Sequence, residues 1–556
     1  MKLFGVALAA ATIAAAASLV ADGGPAGPAP TLTLTTLGSV KSGLVRAEDP
    51  RVAEINAFDP VSRRIYVVNP LEGRLDVIDA SNPLAPGAAL PLDIVGACKS
   101  ALGDACPVLP GIEPNSVAIS GGLLAVAVAN ATRTANGHAV FFKLRGDEPA
   151  RFVAAIEVGA LPDMVTFSSD GLHVLVANEG EPDPSYTIDP PGSVSIIDVL
   201  RLGQPGAVRH VDFTSFDAPA ARAALAADGV RVFGPGAPPS RDLEPEYIAV
   251  AGDKAYVTLQ EANGLAIIDI PTASVDRILG LGLKNHMLPG QGLDPSDQDG
   301  GIHIGNWPVF GLYMPDAIYA FQSEKRTYLI TANEGDAREY AGYTEPIRLG
   351  NARYPLDPGV FPNPAALKAN AALGRLNVTT ASGDLDGDGD FDRIDVFGGR
   401  SVSIRDDQGR LVWDSGDLFE QLSASLNGTL TIFNTTNSAN SLDNRSDDKG
   451  VEPESVVVGD VNGRQYAFVG LERDSGIVVL DLLDPAAPRF VTYVNNRRFP
   501  RNPTTGALLA CNDVNDCGDL GPEGLTFVPA KRSPTGKALL IVSNEVSSTT
   551  TIWQIE

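Results

Sequence analysis

The sequence predicts an all-β chain folded as a seven-bladed β-propeller with long loop insertions on one face, and three observations carry that expectation. The stretch DLEPEYIAVAGDKAYVTLQEANGLAIIDI (242–270) holds three strand-length apolar runs, 247–251, 255–259 and 265–270, separated by turns at Gly252-Asp253-Lys254 and Ala262-Asn263-Gly264. Runs bounded in this way by Gly, Asn and Asp read as an antiparallel meander. The same pattern recurs to give seven copies, and sheets repeated radially leave only short protected edges, which is the propeller solution. Finally, 57 Gly and 42 Pro punctuate the 556 residues, while one short helical pattern stands out, PAARAALAA at 219–227.

Taken in order, the first copy is EINAFDPVSRRIYVVN (54–69), with a third strand at 74–78. NSVAISGGLLAVAVAN (115–130) leads to 139–144, and DMVTFSSDGLHVLVANE (163–179) to 193–199. The 242–270 stretch is the fourth. DAIYAFQSEKRTYLITANE (316–334) is interrupted, and its continuation is expected at 393–405. ESVVVGDVNGRQYAFVGLE (454–472) continues at 476–482, and EGLTFVPAKRSPTGKALLIVSNE (523–545) at 549–555. The chain stops just after a third strand, so TLTLTTL (31–37), which alternates with period two, is expected to close the last blade. A single propeller domain, 31–556, follows.

Blades of roughly 40–50 residues leave about 200 residues over. The largest surpluses lie at 207–242, 279–315, 335–392, 414–453 and 495–522. Each precedes a first strand or follows a second. Hairpin geometry brings those points to the same edge of every sheet, so all five insertions are expected on one face.

The opening MKLFGVALAAATIAAAASLVADGG reads as a secretory signal peptide (1–21), cleaved between Ala17 and Ala21. No second apolar stretch reaches the roughly 20 residues a span needs, so no membrane insertion is expected after cleavage. A periplasmic or secreted bacterial protein, monomeric, is the expectation. Two local disulfides, Cys98 with Cys106 and Cys511 with Cys517, suit an oxidising compartment. The net charge of −26 lacks the basic footprint of a nucleic-acid partner.

Acids gather at two recurring points. First strands begin near Glu54, Asp163, Glu246, Asp316, Glu454 and Glu523, and second strands end at Glu179, Glu261, Glu334, Glu472 and Glu545. Carboxylates crowded at one channel mouth raise one another's pKa unless cations neutralise them. Oxygen-only ligands favour a hard ion, Ca²⁺ first, with Mg²⁺, Mn²⁺ or Fe as other occupants. Set against this, each acid could simply accept backbone N–H groups at a blade junction. A separate signal is DLDGDGDFDRID, in which Asp384, Asp386, Asp388, Asp390, Asp392 and Asp395 take positions 1, 3, 5, 7, 9 and 12 of an EF-hand-like calcium loop, with Gly389 at the turn. Arg338, Arg445, Lys449 and Arg497, with Arg498, lie in the same insertions and would suit a phosphate ester held at metals; ordinary ion pairing is the plainer reading. His303 and Trp307 are lid candidates. No nucleophile elbow, phosphate-cradling loop or Ser-His-Asp set is visible, so no catalytic residue is assigned.

The segments DLEPEYIAV, TANEGDAREY, DGDFDRIDVFGGRSVSI, RSDDKGVEPESVVVG, YAFVGLERDSGIVVLDL, and GPEGLTFVP with SNEVSSTTTIW resemble the choice-of-anchor I family. Its members are exported bacterial proteins containing a propeller, similar to animal mesenchyme-specific cell-surface glycoproteins. The resemblance covers nearly the whole mature chain. Some relatives are labelled alkaline phosphatases, which implies a metal-dependent phosphomonoesterase. Many members end in a surface anchor; this chain ends at Glu556 with none, whence the expectation of a freely exported protein. Within the matched motifs the resemblance directs attention to Glu246, Glu334, Asp336, Arg338, Glu454, Glu472, Glu523 and Glu545. Two functions are therefore expected in competition: a calcium-binding hydrolase of small phosphate esters at the channel mouth, and a non-enzymatic propeller that binds an extracellular ligand or adheres, with structural calcium. A lactonase-like or quinone-dependent propeller comes third, since only three Trp are present where quinone enzymes of this architecture repeat them.

Overall fold

Apolar runs such as LLAVAVA (Leu123–Ala129) are buried on both faces, so each strand of this kind needs a packed layer on either side. The computed structural model, which describes residues 31–42, 52–511 and 517–556, meets that need with a ring of antiparallel sheets. Six are four-stranded and one is five-stranded. The signal peptide read at 1–21 lies outside the described residues.

The first sheet holds Asn56–Asp59, Arg64–Asn69 and Arg74–Asp79, with Gly87–Ala88 and Leu92–Asp93 sharing its outer edge. The second runs Glu113–Ser120, Leu123–Ala129, Asn136–Lys143, Arg151–Ala160, and the third Pro162–Phe167, His173–Asn178, Ser193–Asp198, Val208–Asp212. The fourth is Pro245–Ala251, Lys254–Leu259, Gly264–Asp269, Ser274–Gly280. Its first turn is tight because Gly252 takes φ +59 and lets Ala251 pair with Lys254. Ile318–Ser323, Arg326–Asn333, Ser401–Asp406 and Leu411–Asp414 make the fifth, and Pro453–Val461, Arg464–Leu471, Gly476–Asp481 and Arg489–Asn495 the sixth. In the seventh, Pro522–Val528, Ala538–Asn544 and Thr549–Ile555 are completed by Leu34–Lys41, which pairs antiparallel with Thr549–Ile555. The closing strand is thus supplied by the TLTLTTL region, displaced a few residues towards its C-terminal side.

First strands of consecutive sheets touch, and the first strand of the seventh sheet touches that of the first. Seven apolar clusters fill the seven gaps between neighbouring sheets, the last joining Ile65, Val67 and Ile78 to Leu539, Ile541 and Ile552. Each fully buried Val, Leu or Ile contributes roughly 1.5–3 kcal/mol, so these gaps hold the ring together. Cys98–Cys106 and Cys511–Cys517 are disulfide-bonded. Among the described residues no helix is long and apolar enough to cross a membrane.

Three expectations need correction. The insertion placed at 207–242 begins later, because Val208–Asp212 is the outer strand of its sheet; the helix inside it, Pro219–Ala227, forms where read. The third strand of the fifth sheet is Ser401–Asp406 and not 393–405: Asp395–Val396 turns away to pair in parallel with Phe310–Leu312. The surplus residues are also more than loops. Leu293, Val309, Leu349, Tyr354, Leu373, Val378, Phe391 and Ile394 form a separate apolar core drawn wholly from the insertions before and within the fifth sheet.

Candidate functional site

A proline precedes the acid at the start of five first strands: Pro162-Asp163, Pro245-Glu246, Pro315-Asp316, Pro453-Glu454 and Pro522-Glu523. Proline has no N–H to give to the ladder and is confined to strand starts and bulges. The pairing register slips there in four of these sheets, for example between Pro453↔Leu471 and Ser455↔Gly470. A bulge leaves its extra residue unpaired and re-aims the side chain, and the acid is that residue. Leu161, Met314 and Glu452, each just before such a proline, take positive φ, a conformation that only a constrained local structure sustains in residues with a Cβ. At the second-strand ends, Asn178, Asn333 and Asn544 bond to the following strand through their amides, Asn333 Nδ2 lying 2.8 Å from Ser403 Oγ. Those asparagines lock the hairpin and set the next residue, Glu179, Glu334 or Glu545, over the channel.

The outcome is one cavity of about 360 Å³ lined by Asp163, Glu179, Glu246, Asp316, Glu334, Asp336, Glu454, Glu472, Glu523 and Glu545, together with Gln260 and Arg473. Ten carboxylates thus share the wall with a single cation. Nine of the eleven acids expected at the channel mouth from the repeat are among them, Asp163, Glu179, Glu246, Asp316, Glu334, Glu454, Glu472, Glu523 and Glu545; Glu54 and Glu261 are not on this wall. Tyr247 packs against three of the inter-sheet clusters while facing Asp163, Asp316, Glu454 and Glu523; burial and then those charges push its hydroxyl's pKa up.

Part of this charge is neutralised internally. Lys449 Nζ is 2.6 Å from Glu334 and 3.2 Å from Asp336, Arg473 bridges Glu452 and Glu472 at 2.7 Å each, and Arg445 joins Glu452 from the other side. The rest is not. Glu246, Asp316, Glu454, Glu523 and Glu545 are held well above the usual carboxylate range, first by desolvation and then by one another, with Glu179 raised likewise and Asp163 at about 6. Beside them Glu261 is raised to about 7 by burial, against the pull of Arg338. Glu523 is the foremost charge raising Glu454, and Glu454 Oε2 is enclosed without a donor. An enclosed carboxylate oxygen without a donor calls for a proton or a cation beside it.

The four basic residues expected to hold phosphate are engaged elsewhere. Arg338 is fully buried, its guanidinium gripping Asp242 and Glu244 (Glu244 Oε2 at 2.7 Å) and lying over the Phe233 ring. Arg497 spends its donors on the carbonyls of Arg473 and Thr436 and on Asn440 Oδ1. Arg445 and Lys449 belong to the network around Glu452. The calcium-loop spacing is also redistributed. Asp395 is fully buried and turns away from the loop to Arg393 (2.6 Å) and Ser382 Oγ (2.6 Å). Asp384 and Asp386 converge with Asp392, and Asp390 converges with Asp392 and Asp357, while Asp388 joins neither group. Glu452, Arg473 and Asp357 were missed by sequence reasoning. The dipeptide Glu472-Arg473 and the triplet Glu452-Pro453-Glu454 were the available signals.

The family model of the choice-of-anchor I domain matches residues 54–485. The chain belongs to the choice-of-anchor I family. This choice-of-anchor I chain is 29% identical over 196 residues to Gigasin-3a of Magallana gigas, spanning 34% of this chain and 67% of that one. It is 30% identical over 317 residues to the mesenchyme-specific cell surface glycoprotein of Strongylocentrotus purpuratus, spanning 50% of this chain and 40% of the relative. Among solved structures, a chain of Kuenenia stuttgartiensis hydrazine synthase aligns over 93% of this chain and 99% of its own at 12% identity and a TM-score of 0.44. The β-propeller domain of Myceliophteria thermophila Cps50 (Swd1) aligns over 94% and 99% at 10% identity and 0.41. Likenesses at that level carry no argument about chemistry.

Proposed function

We propose that this protein is an exported, non-catalytic binding propeller of the cell-surface type, whose carboxylate cavity loads hard divalent cations, Ca²⁺ foremost, and offers them to an anionic or polyhydroxylated extracellular ligand. The observation that carries this reading is the mismatch on the cavity wall, where ten carboxylates outnumber Arg473 and the Lys449 that pairs with Glu334 and Asp336, and Glu454 Oε2 is enclosed without a donor. Hard oxygen donors suit Ca²⁺, which accepts six to eight of them in loose geometry; Mg²⁺ and Mn²⁺ fit the same donors with stricter demands. A cation held by carboxylates on one side keeps positions open towards solvent for ligand oxygens. The kinship to a cell surface glycoprotein fits such a role. The aspartate loop at 384–392 takes calcium in a structural capacity on the same proposal, with Asp357 in place of Asp395.

A metal-dependent phosphomonoesterase, the activity that the family resemblance implies, ranks second. A free cationic donor beside the metal would favour turnover of a phosphate ester, and Arg338, Arg445, Lys449 and Arg497 are all committed inside the protein. Calorimetric titration of chelator-treated protein with CaCl₂, run beside an assay on a chromogenic phosphate monoester, separates the readings. Calcium is expected to bind the wild type, to bind Glu454→Gln about tenfold more weakly (~1.4 kcal/mol), and to support no hydrolysis. Identical calcium affinity in Glu454→Gln and the wild type would remove the cavity from the proposal, and chelator-sensitive turnover would promote the esterase.

A further inference from the structure

A second group of buried acids lies outside the cavity, between insertions that the repeat does not explain. Asp294 and Asp299 belong to the insertion before the fifth sheet, in DPSDQDGGIH, and Asp443 to the insertion after it. One carboxylate oxygen from each lies within 4.8 Å of the other two. That is the spacing of oxygens sharing one ion at roughly 2.3–2.6 Å. Asp294 is fully buried and Asp443 is 5% exposed.

Among the described residues no lysine or arginine forms a salt bridge with these acids. The arginine nearest in the bonding pattern, Arg400, directs its guanidinium to Glu420 (2.6 Å) and to the backbone carbonyls of Asp294, Ser446 and Asp448. Beyond desolvation, the charges weighing on Asp443 are those of Asp294, Asp299 and Glu420, all negative. His303, mostly exposed, meets only the outer acid, Asp299, at 2.9 Å.

An independent sign of a missing ligand comes from Asn434. Its side chain is 1% exposed, and its Oδ1 is enclosed with no donor. The other end of the amide fixes the orientation: Nδ2 faces Glu420 Oε2 at 3.3 Å and Ser446 Oγ at 2.8 Å, and that hydroxyl in turn bonds Asp443. Flipping the amide would set its oxygen against the Glu420 carboxylate, so the oxygen stays the orphan. A buried acceptor without a donor, joined through Ser446 to Asp443 in a group of three acids whose one basic neighbour is an exposed imidazole, suits a hard cation.

We propose that Asp294, Asp299 and Asp443, with Asn434 at their edge, form a Ca²⁺ site that staples the insertion before the fifth sheet to the insertion after it. Three carboxylate oxygens leave room for waters and neighbouring oxygens to complete a coordination of six to eight. The site is independent of the carboxylate cavity and of the 384–392 loop, sharing no residue with either.

Native mass spectrometry of the full chain, stripped with chelator and reloaded with CaCl₂, counts the ions directly. Asp443→Asn and Asp299→Asn are each expected to hold one calcium fewer than the wild type, and the loss is independent of the 384–392 loop, so the double variant Asp384→Asn with Asp443→Asn holds one fewer than Asp384→Asn alone. Limited proteolysis gives a second readout: calcium is expected to protect residues 281–317 and 415–452 in the wild type and in Glu454→Gln, but not in Asp443→Asn. Should Asp443→Asn fail to fold by circular dichroism, Asp299→Asn at the less buried rim decides the matter by itself. An unchanged ion count in the folded variants overturns the proposal, as does protection of both segments by calcium in a variant that lacks these carboxylates.

Discussion

Two sets of carboxylates lie at or beside the cavity, and the chain treats them in opposite ways. Glu334, Glu452 and Glu472 come within ligand distance of one another, yet Lys449, Arg445 and Arg473 already interleave with them. A few residues away, Asp163, Glu246, Asp316, Glu454, Glu523 and Glu545 press on each other, and the pull of Arg133 on Asp163, of Lys449 on Asp316 and of Arg473 on Glu545 does not offset burial and that repulsion. The first set is closed because its counter-ions are covalent parts of the protein. The second relies on solvent for them. Proximity of acids alone therefore does not mark a site; what marks it is the absence of a basic partner in a place water cannot freely screen.

The sharpest way to break this contrast is to open a closed set. Arg338 is the cationic centre of a third group, paired with Asp242 and Glu244, and all three side chains are buried to within 2% of full enclosure. Arg338→Met should leave two buried carboxylates unpaired and cost about 3–5 kcal/mol, read as a lower midpoint in urea unfolding at neutral pH. Calcium affinity of the folded fraction should stay as in the wild type, since the excised charge belongs to a closed set. A loss below about 1 kcal/mol would mean that the distinction between closed and open sets has no energetic content.

Much of the ring and most of its rim were legible in the sequence, and the failures have common physical causes. Strands were readable because pairing partners in a meander are neighbours in the chain. Acids at 163, 246, 316, 454 and 523 were readable because the repeat puts them at equivalent points, although the proline before each, accompanied by a register slip in all but the sheet of Asp316, went unread. Basic residues were misplaced because their partners are remote: Arg338 and Asp242 are 96 residues apart, and Lys449 and Glu334 are 115 apart. No local pattern predicts such a pair. Asp395 failed for a related reason, since spacing within a loop does not reveal that a strand pairing with Phe310–Leu312 pulls position twelve into the interior.

Acidity offers a second, milder way to sharpen the comparison. In chelated protein Asp163 titrates at about 6 and Glu261 at about 7, against roughly 4 for both in an unfolded chain. A carboxyl raised on folding favours the folded state while protonated. Its stabilisation is therefore fully present below pH ~4 and is lost as pH rises through the folded values. The chelated protein should lose melting temperature steadily from pH 5 to pH 8, and added calcium should restore it, so the gap between the two curves widens with pH. Parallel curves would show that no divalent ion relieves the repulsion.

The smallest effect is expected where acids face water. Asp384 sits in an exposed loop whose backbone it already supports, accepting from Gly387 N at 2.7 Å and Gly389 N at 3.2 Å. Asparagine keeps an oxygen for one of those bonds, and solvent screens the neighbouring aspartates, so Asp384→Asn should change stability in chelator by no more than about 0.5 kcal/mol. The same substitution should still remove one bound calcium, because Asp384, Asp386 and Asp392 converge there and an amide is a poorer calcium ligand than a carboxylate. Melting curves and ion counts measured on one preparation thus test both halves. A large stability loss in chelator would place this loop with the closed sets, whereas an unchanged count would leave it an acidic turn with no ion to hold.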